Sequence, residues 1–221
     1  MEFMEYLDYS MRYLHLIVGI VWIGMLYYFN FCSGPYLAAA DKSAKVSAVA
    51  NLMPRVAAWF RWGALFTFLT GAYLLHMVWS NGTLKEDTII AGVMATIMAI
   101  NVWFIIWPNQ RIMIESNRQM ERGEEPDPNA DDAAATVLLA SRTNTLLSIP
   151  MAATMVSSAH FAFGSSITTE SWGMYIVLGL VVIIWLNGLF GSLNPLIKSI
   201  PAVIISGFVL TGIAQVLLHF L

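Results

Sequence analysis

Six stretches of this chain, at about 10–32, 57–79, 88–108, 143–164, 172–192 and 199–221, read as membrane crossings. An α-helix rises about 1.5 Å per residue, so roughly 20 apolar residues cover a hydrocarbon layer some 30 Å thick. Runs of this length are too long for strands and lack the alternation of a barrel. The composition agrees: 58% of the 221 residues are hydrophobic and 11% are charged, whereas a soluble domain carries about 25% charged residues. A water-soluble globule, a nucleic-acid binder and a disordered tail are thereby excluded. The expected fold class is all-α: an integral membrane bundle of six transmembrane helices forming a single domain over residues 1–221.

The charges set the orientation. Nine of the eleven lysines and arginines (Lys42, Lys45, Arg55, Arg61, Arg111, Arg118, Arg122, Arg142 and Lys198) fall on one side of the six spans, against Arg12 and Lys85 on the other. The positive-inside rule then puts 33–56, 109–142 and 193–198 in the cytoplasm and both termini on the outer side, in the periplasm if the host is a bacterium and this is its inner membrane. The acidic opening MEFMEYLD has no basic n-region, so the first span reads as a retained helix.

Segment 109–142 reads as an extended cytoplasmic helical hairpin between helices 3 and 4, with Pro126 and Pro128 in its turn and Asp131 and Asp132 at the start of the next helix. Segment 33–56 is weakly amphipathic and reads as a short interfacial helix. The single cysteine, Cys32, forms no internal disulfide, and the CxxCH that attaches c-type haem is absent.

Ionisable groups inside a membrane each call for a hypothesis. The four histidines, His15, His76, His160 and His219, all fall near the outer ends of their spans. An interfacial histidine taken alone snorkels to water or bonds a nearby carbonyl. Four at one level suggest a ligand set, because imidazole is a common metal ligand and haem iron in helical bundles is held by histidine. The expectation is one or two b-type haems, with His15 and His76 as the first axial pair and His160 and His219 as the second. Copper is the alternative; zinc sites usually recruit cysteine or carboxylate, and none lies nearby. Gly19, Gly71, Ala72, Ala153, Ser157, Gly212 and Gln215 leave room for a macrocycle, or equally for close helix packing.

A second polar cluster comprises WPNQR (107–111) and SRTNT (141–145), with Asn101 deeper in helix 3. Asn109, Arg111, Arg142 and Asn144 either staple two helices or form a site for a quinone head group or an anion.

The runs NVWFIIWPNQR, GEEPDP and SRTNTLLSIPMAATMVSSAHF resemble the membrane domain of the membrane-bound, cytochrome c-linked urate oxidases. YLHLIVGIVWIGMLYYFNF and WFRWGALFTFLTGAYLL are similar to the same domain, and the resemblance covers about residues 10–165. It implies urate oxidation in the membrane with electrons passed to a c-type cytochrome, and it matches His15 and His160, with His76 beside them. The expectation is a version of that domain with a shorter segment after helix 1 and without the cytochrome c domain that follows in the family.

Three functions follow as expectations. The first is a b-type haem electron-transfer protein working with a c-type cytochrome or a larger respiratory complex. The second is an oxidase of urate or a similar small molecule. The third is a non-redox structural or assembly subunit. Transport ranks below these because the midplane carries few polar residues. The expected partners are membrane lipid, the redox protein and a second copy of the chain.

Overall fold

The computed structural model describes residues 2–167 and 170–221. Its regular structure is helical, apart from one isolated bridge between Lys85 and Ser166. Helix α1 (Glu2–Tyr27) runs through a π-helical segment, Tyr28–Ser33, into α2 (Gly34–Ala39). Helix α3 (Lys42–Ser47) runs through a second, Ala48–Leu52, into α4 (Met53–Ser80). Helix α5 (Glu86–Ile100) passes a third, Asn101–Ile106, into α6 (Trp107–Glu121). Then come α7 (Ala130–His160), α8 (Trp172–Phe190) and α9 (Ile200–Phe220).

The π segments have a cause in the sequence. Each is followed by a proline in the first turn of the next helix: Pro35, Pro54 and Pro108. A proline ring clashes with the carbonyl four residues back and donates no hydrogen bond. Widening the preceding turn by one residue lets the helix continue past the ring. Asn109 repairs part of the ladder, its Nδ2 donating to the Ile105 carbonyl at 2.8 Å.

Five helical runs are long and apolar enough to cross a membrane: Phe3–Ala39, Lys42–Ser80, Glu86–Glu121, Trp172–Phe190 and Ile200–Phe220. They coincide closely with five of the six expected spans, and the chain is accordingly read as a membrane protein. The sixth expected span, at 143–164, falls on a helix with other bounds. The helix there is α7, which starts at Ala130, ends at His160 and is not among the five apolar runs. Its buried residues include Ser141, Thr143, Asn144, Thr145, Ser148, Thr154 and Ser157. Helices α1, α5, α6, α8 and α9 all pack on α7. A helix covered by other helices meets little lipid and need not be apolar. Segment 33–56 holds two short helices where one was expected, separated near Asp41, whose side chain caps α3 by accepting from the Ala44 N–H at 2.9 Å.

The core joins α1, α4, α5 and α7 through Trp22, Leu26, Phe60, Ile90, Met94, Met98, Leu146 and Leu147, all nearly inaccessible. Gly63 lets α4 approach α1 closely: a Cβ there would stand 3.1 Å from the Trp22 backbone nitrogen.

Candidate functional site

The polar residues of α7 face two neighbours. Toward α1, Ser141 Oγ accepts from Asn30 Nδ2 at 2.8 Å, and Ser148 Oγ lies 3.0 Å from Tyr27 Oη. Asn30 belongs to the first π segment and also donates to the Leu26 carbonyl. Toward α5 and α8, Asn144 Oδ1 accepts from Asn101 Nδ2 at 2.7 Å, and Asn144 Nδ2 donates to the Met98 carbonyl at 3.1 Å. Asn101 Oδ1 in turn accepts from Trp185 Nε1 at 2.9 Å. Asn101 opens the third π segment, so two of the three π turns place an asparagine against α7. Amides bonded on several sides in an apolar interior fix the rotation of the helices that carry them.

Arg142 lies between these two networks in sequence. Its Nε and Nη1 are shut off from solvent and have no acceptor. None of the ion pairs among the described residues includes it. A guanidinium carries five donors and a permanent charge, so such a group inside a bundle points to a partner of opposite charge.

At the other end of the bundle, Asp87 is completely buried. Its carboxylate accepts from Ser157 Oγ, from the Phe163 N–H at 3.2 Å and from the Gly164 N–H at 2.8 Å. Glu86, also buried, accepts from the Ser165 N–H at 3.2 Å. Lys85 Nζ donates to the Ser158 carbonyl at 3.0 Å. Three consecutive charged residues thus fasten the exit of α7 to the start of α5.

The four histidines differ in burial and in partners. His15 is half-buried between α1 and α4, with Nδ1 3.0 Å from Thr70 Oγ1. A Cβ on Gly71 would stand 3.0 Å from His15 Cε1, so that glycine makes room for the His15 ring itself. His76 follows five residues after Gly71. At about 100° per residue it leaves α4 on roughly the opposite side. It is exposed, with Nε2 3.4 Å from Ser80 Oγ. His160 closes α7 and is exposed, while Ser157, three residues earlier, turns inward to Asp87. His219 is exposed against Phe220, and its neighbour Leu218 is the residue that packs inward. Among the described residues no three His, Cys, Asp or Glu side chains form a group able to hold a metal.

The second expected cluster divides. Asn109 is turned to its own helix and Arg111 is exposed. Asn144 faces the interior with Asn101, while Arg142 is partly exposed with its Nε and Nη1 covered. Asn30, Trp185, Glu86 and Asp87 were not anticipated. The two acids look like span-boundary charges in the sequence, and only the folding back of residues 163–165 buries them.

A family model described as urate oxidase N-terminal matches residues 86–216. No curated protein and no solved structure matches the chain. The matched segment begins at the buried Glu86–Asp87 pair and contains Asn101, Arg142, Asn144, Trp185 and His160. It reaches through α8 and most of α9, beyond the motifs seen in the sequence, and leaves His15, His76 and His219 outside. It covers more than half of the chain, which on this ground belongs to the urate oxidase N-terminal family.

Proposed function

We propose that this chain is the membrane-embedded domain of a urate oxidase-type system, binding urate or a similar small, carbonyl-rich anion at the α5–α7–α8 centre. The family match carries this reading, because the matched segment holds the polar centre. Arg142 supplies the charge: its acceptor-free Nε and Nη1 form the edge that pairs with an anion or two carbonyl oxygens. Asn101, Asn144 and Trp185 hold the three surrounding helices in register. Packing covers Nε and Nη1 from water while the rest of the side chain stays partly exposed. Oxidation of such a substrate releases two electrons and two protons; in this reading the electrons go one each to two molecules of a c-type cytochrome and the protons to solvent.

In this reading α7 is the sixth membrane crossing, polar because other helices surround it. The end of α6 and the start of α7 form a cytoplasmic hairpin, and the seven lysines and arginines of 33–56 and 109–142 support a cytoplasmic side for those segments in a bacterial inner membrane.

Urate binding to the purified chain in lipid nanodiscs tests the proposal, followed by urate-dependent reduction of added cytochrome c. Saturable binding that Arg142→Gln weakens by roughly tenfold or more is the expected result, as for loss of a charge-assisted hydrogen-bond pair. Absence of urate binding and of urate-dependent reduction in the native chain would refute it.

A further inference from the structure

Arg61 lies on α4, away from the Arg142 centre, and its surroundings are aromatic. The guanidinium carbon lies 3.6 Å from the Trp107 ring centroid, 5.7 Å from that of Trp103 and 5.9 Å from that of Trp62. Trp62 meets Trp103 edge to face at 5.7 Å. Stacking on Trp107 fixes the plane of the guanidinium and leaves its N–H edge as the reactive side. Among the described residues no carboxylate pairs with it. Arg61 Nη1 and Trp103 Nε1 are both buried donors without an acceptor.

This cluster opens toward lipid. Trp59 is 66% exposed and Trp62 46% exposed on a helix that is long and apolar enough to cross a membrane. Tryptophans at the end of a span mark the level of the lipid headgroups. Arg55, six residues before Arg61, and Arg111, four after Trp107, add two exposed cations at the same end of α4 and α6. A lone cation held flat by indoles, short of acceptors and bordered by lipid at headgroup depth, is complementary to a phosphodiester.

We infer that Arg61, seated on Trp107 and flanked by Trp103 and Trp62, binds the phosphate of one anionic phospholipid at the seam between α4 and the 101–111 region. The lipid supplies the counter-ion that the protein lacks. Arg55 and Arg111 add longer-range attraction. The site is separate from the substrate reading, which rests on Arg142; Arg61 lies outside the segment that matches the family, and Trp103 and Trp107 lie inside it.

Native mass spectrometry of the full chain tests this, with phosphatidylglycerol and phosphatidylcholine of identical acyl chains as probes. The expected result is one tightly retained phosphatidylglycerol and at least about fivefold weaker retention of phosphatidylcholine. Arg61→Gln should lower phosphatidylglycerol retention to the phosphatidylcholine level. Arg61→Lys keeps the charge without the flat donor fork and should fall between the two. Trp107→Leu, which keeps the arginine and removes its platform, should reduce the preference and guards against misfolding of the Arg61 variants. Equal retention of the two lipids, or full phosphatidylglycerol retention by both Arg61 variants, would overturn the inference. Displacement of the lipid by millimolar inorganic phosphate would assign the site to free phosphate and overturn it as well.

Discussion

Asn101, in the π segment that follows α5, and Asn144 of α7 meet through a 2.7 Å hydrogen bond, both of them buried. The pair links a π turn to the most polar helix of the bundle, and Trp185 extends it to α8. Asn144→Leu would strand the Asn101 amide in an apolar interior. We expect a loss of about 1–2 kcal/mol, read as a lower melting temperature in detergent. The double variant Asn101→Leu/Asn144→Leu should lose less than the sum of the two single changes. Strict additivity would show that the bond contributes nothing specific.

Asp87 should hold the α7 exit loop in place. In Asp87→Asn one oxygen becomes an NH2 group facing backbone donors, so at least one of the bonds to Ser157, Phe163 and Gly164 is lost. Hydrogen exchange across 161–166 should accelerate while exchange in α5 and α7 changes little. Unchanged protection of that loop would contradict the assigned role.

Two glycines of α8 should respond oppositely to alanine. A Cβ on Gly173 would come 2.8 Å from the Leu217 carbonyl carbon, so α8 and α9 must separate, at a cost of about 1–3 kcal/mol. A Cβ on Gly179 meets nothing within 4 Å, and Gly179→Ala should be neutral or slightly stabilising through helix propensity. Thermal unfolding of the two variants side by side makes the comparison.

In the turn after α6, Arg122 donates to Glu124 from Nε at 2.8 Å and from Nη2 at 2.9 Å. These bonds hold the Glu124 carboxyl below the ordinary glutamate range and raise the already high Arg122 value further. A lowered folded-state pKa stabilises above the ordinary value of about 4.3, and the benefit disappears as pH falls through the lowered one. Arg122→Gln should return Glu124 toward the ordinary range in a carboxyl NMR titration. Both groups are fully exposed, so the melting temperature at neutral pH should not move.

His76→Ala should leave the fold unchanged in thermal unfolding, since the ring is exposed. A Soret band lost in this variant would support the axial pair expected from the sequence.

The spans that border lipid were legible because lipid contact demands apolarity along the whole length of a helix. Five helical runs with that property appear where the hydropathy placed them. The α7 boundaries were not legible, since a helix whose neighbours are protein is free to carry Ser141, Asn144 and Ser148. The π turns had a visible cause in Pro35, Pro54 and Pro108, yet nothing local indicated that Asn30 and Asn101 would sit in them facing α7.

The primary structure alone established an all-helical membrane chain and its family, through run lengths and the motifs of 101–160. The histidines show where such reasoning stops. Depth along a helix follows from counting residues at a fixed rise, so the level of each ring was readable. Direction around the helix depends on which face its neighbours cover. Packing turned His15 toward Thr70, left His76 on the outer face of the same pair of helices, and brought Arg142 and Asn144 inward.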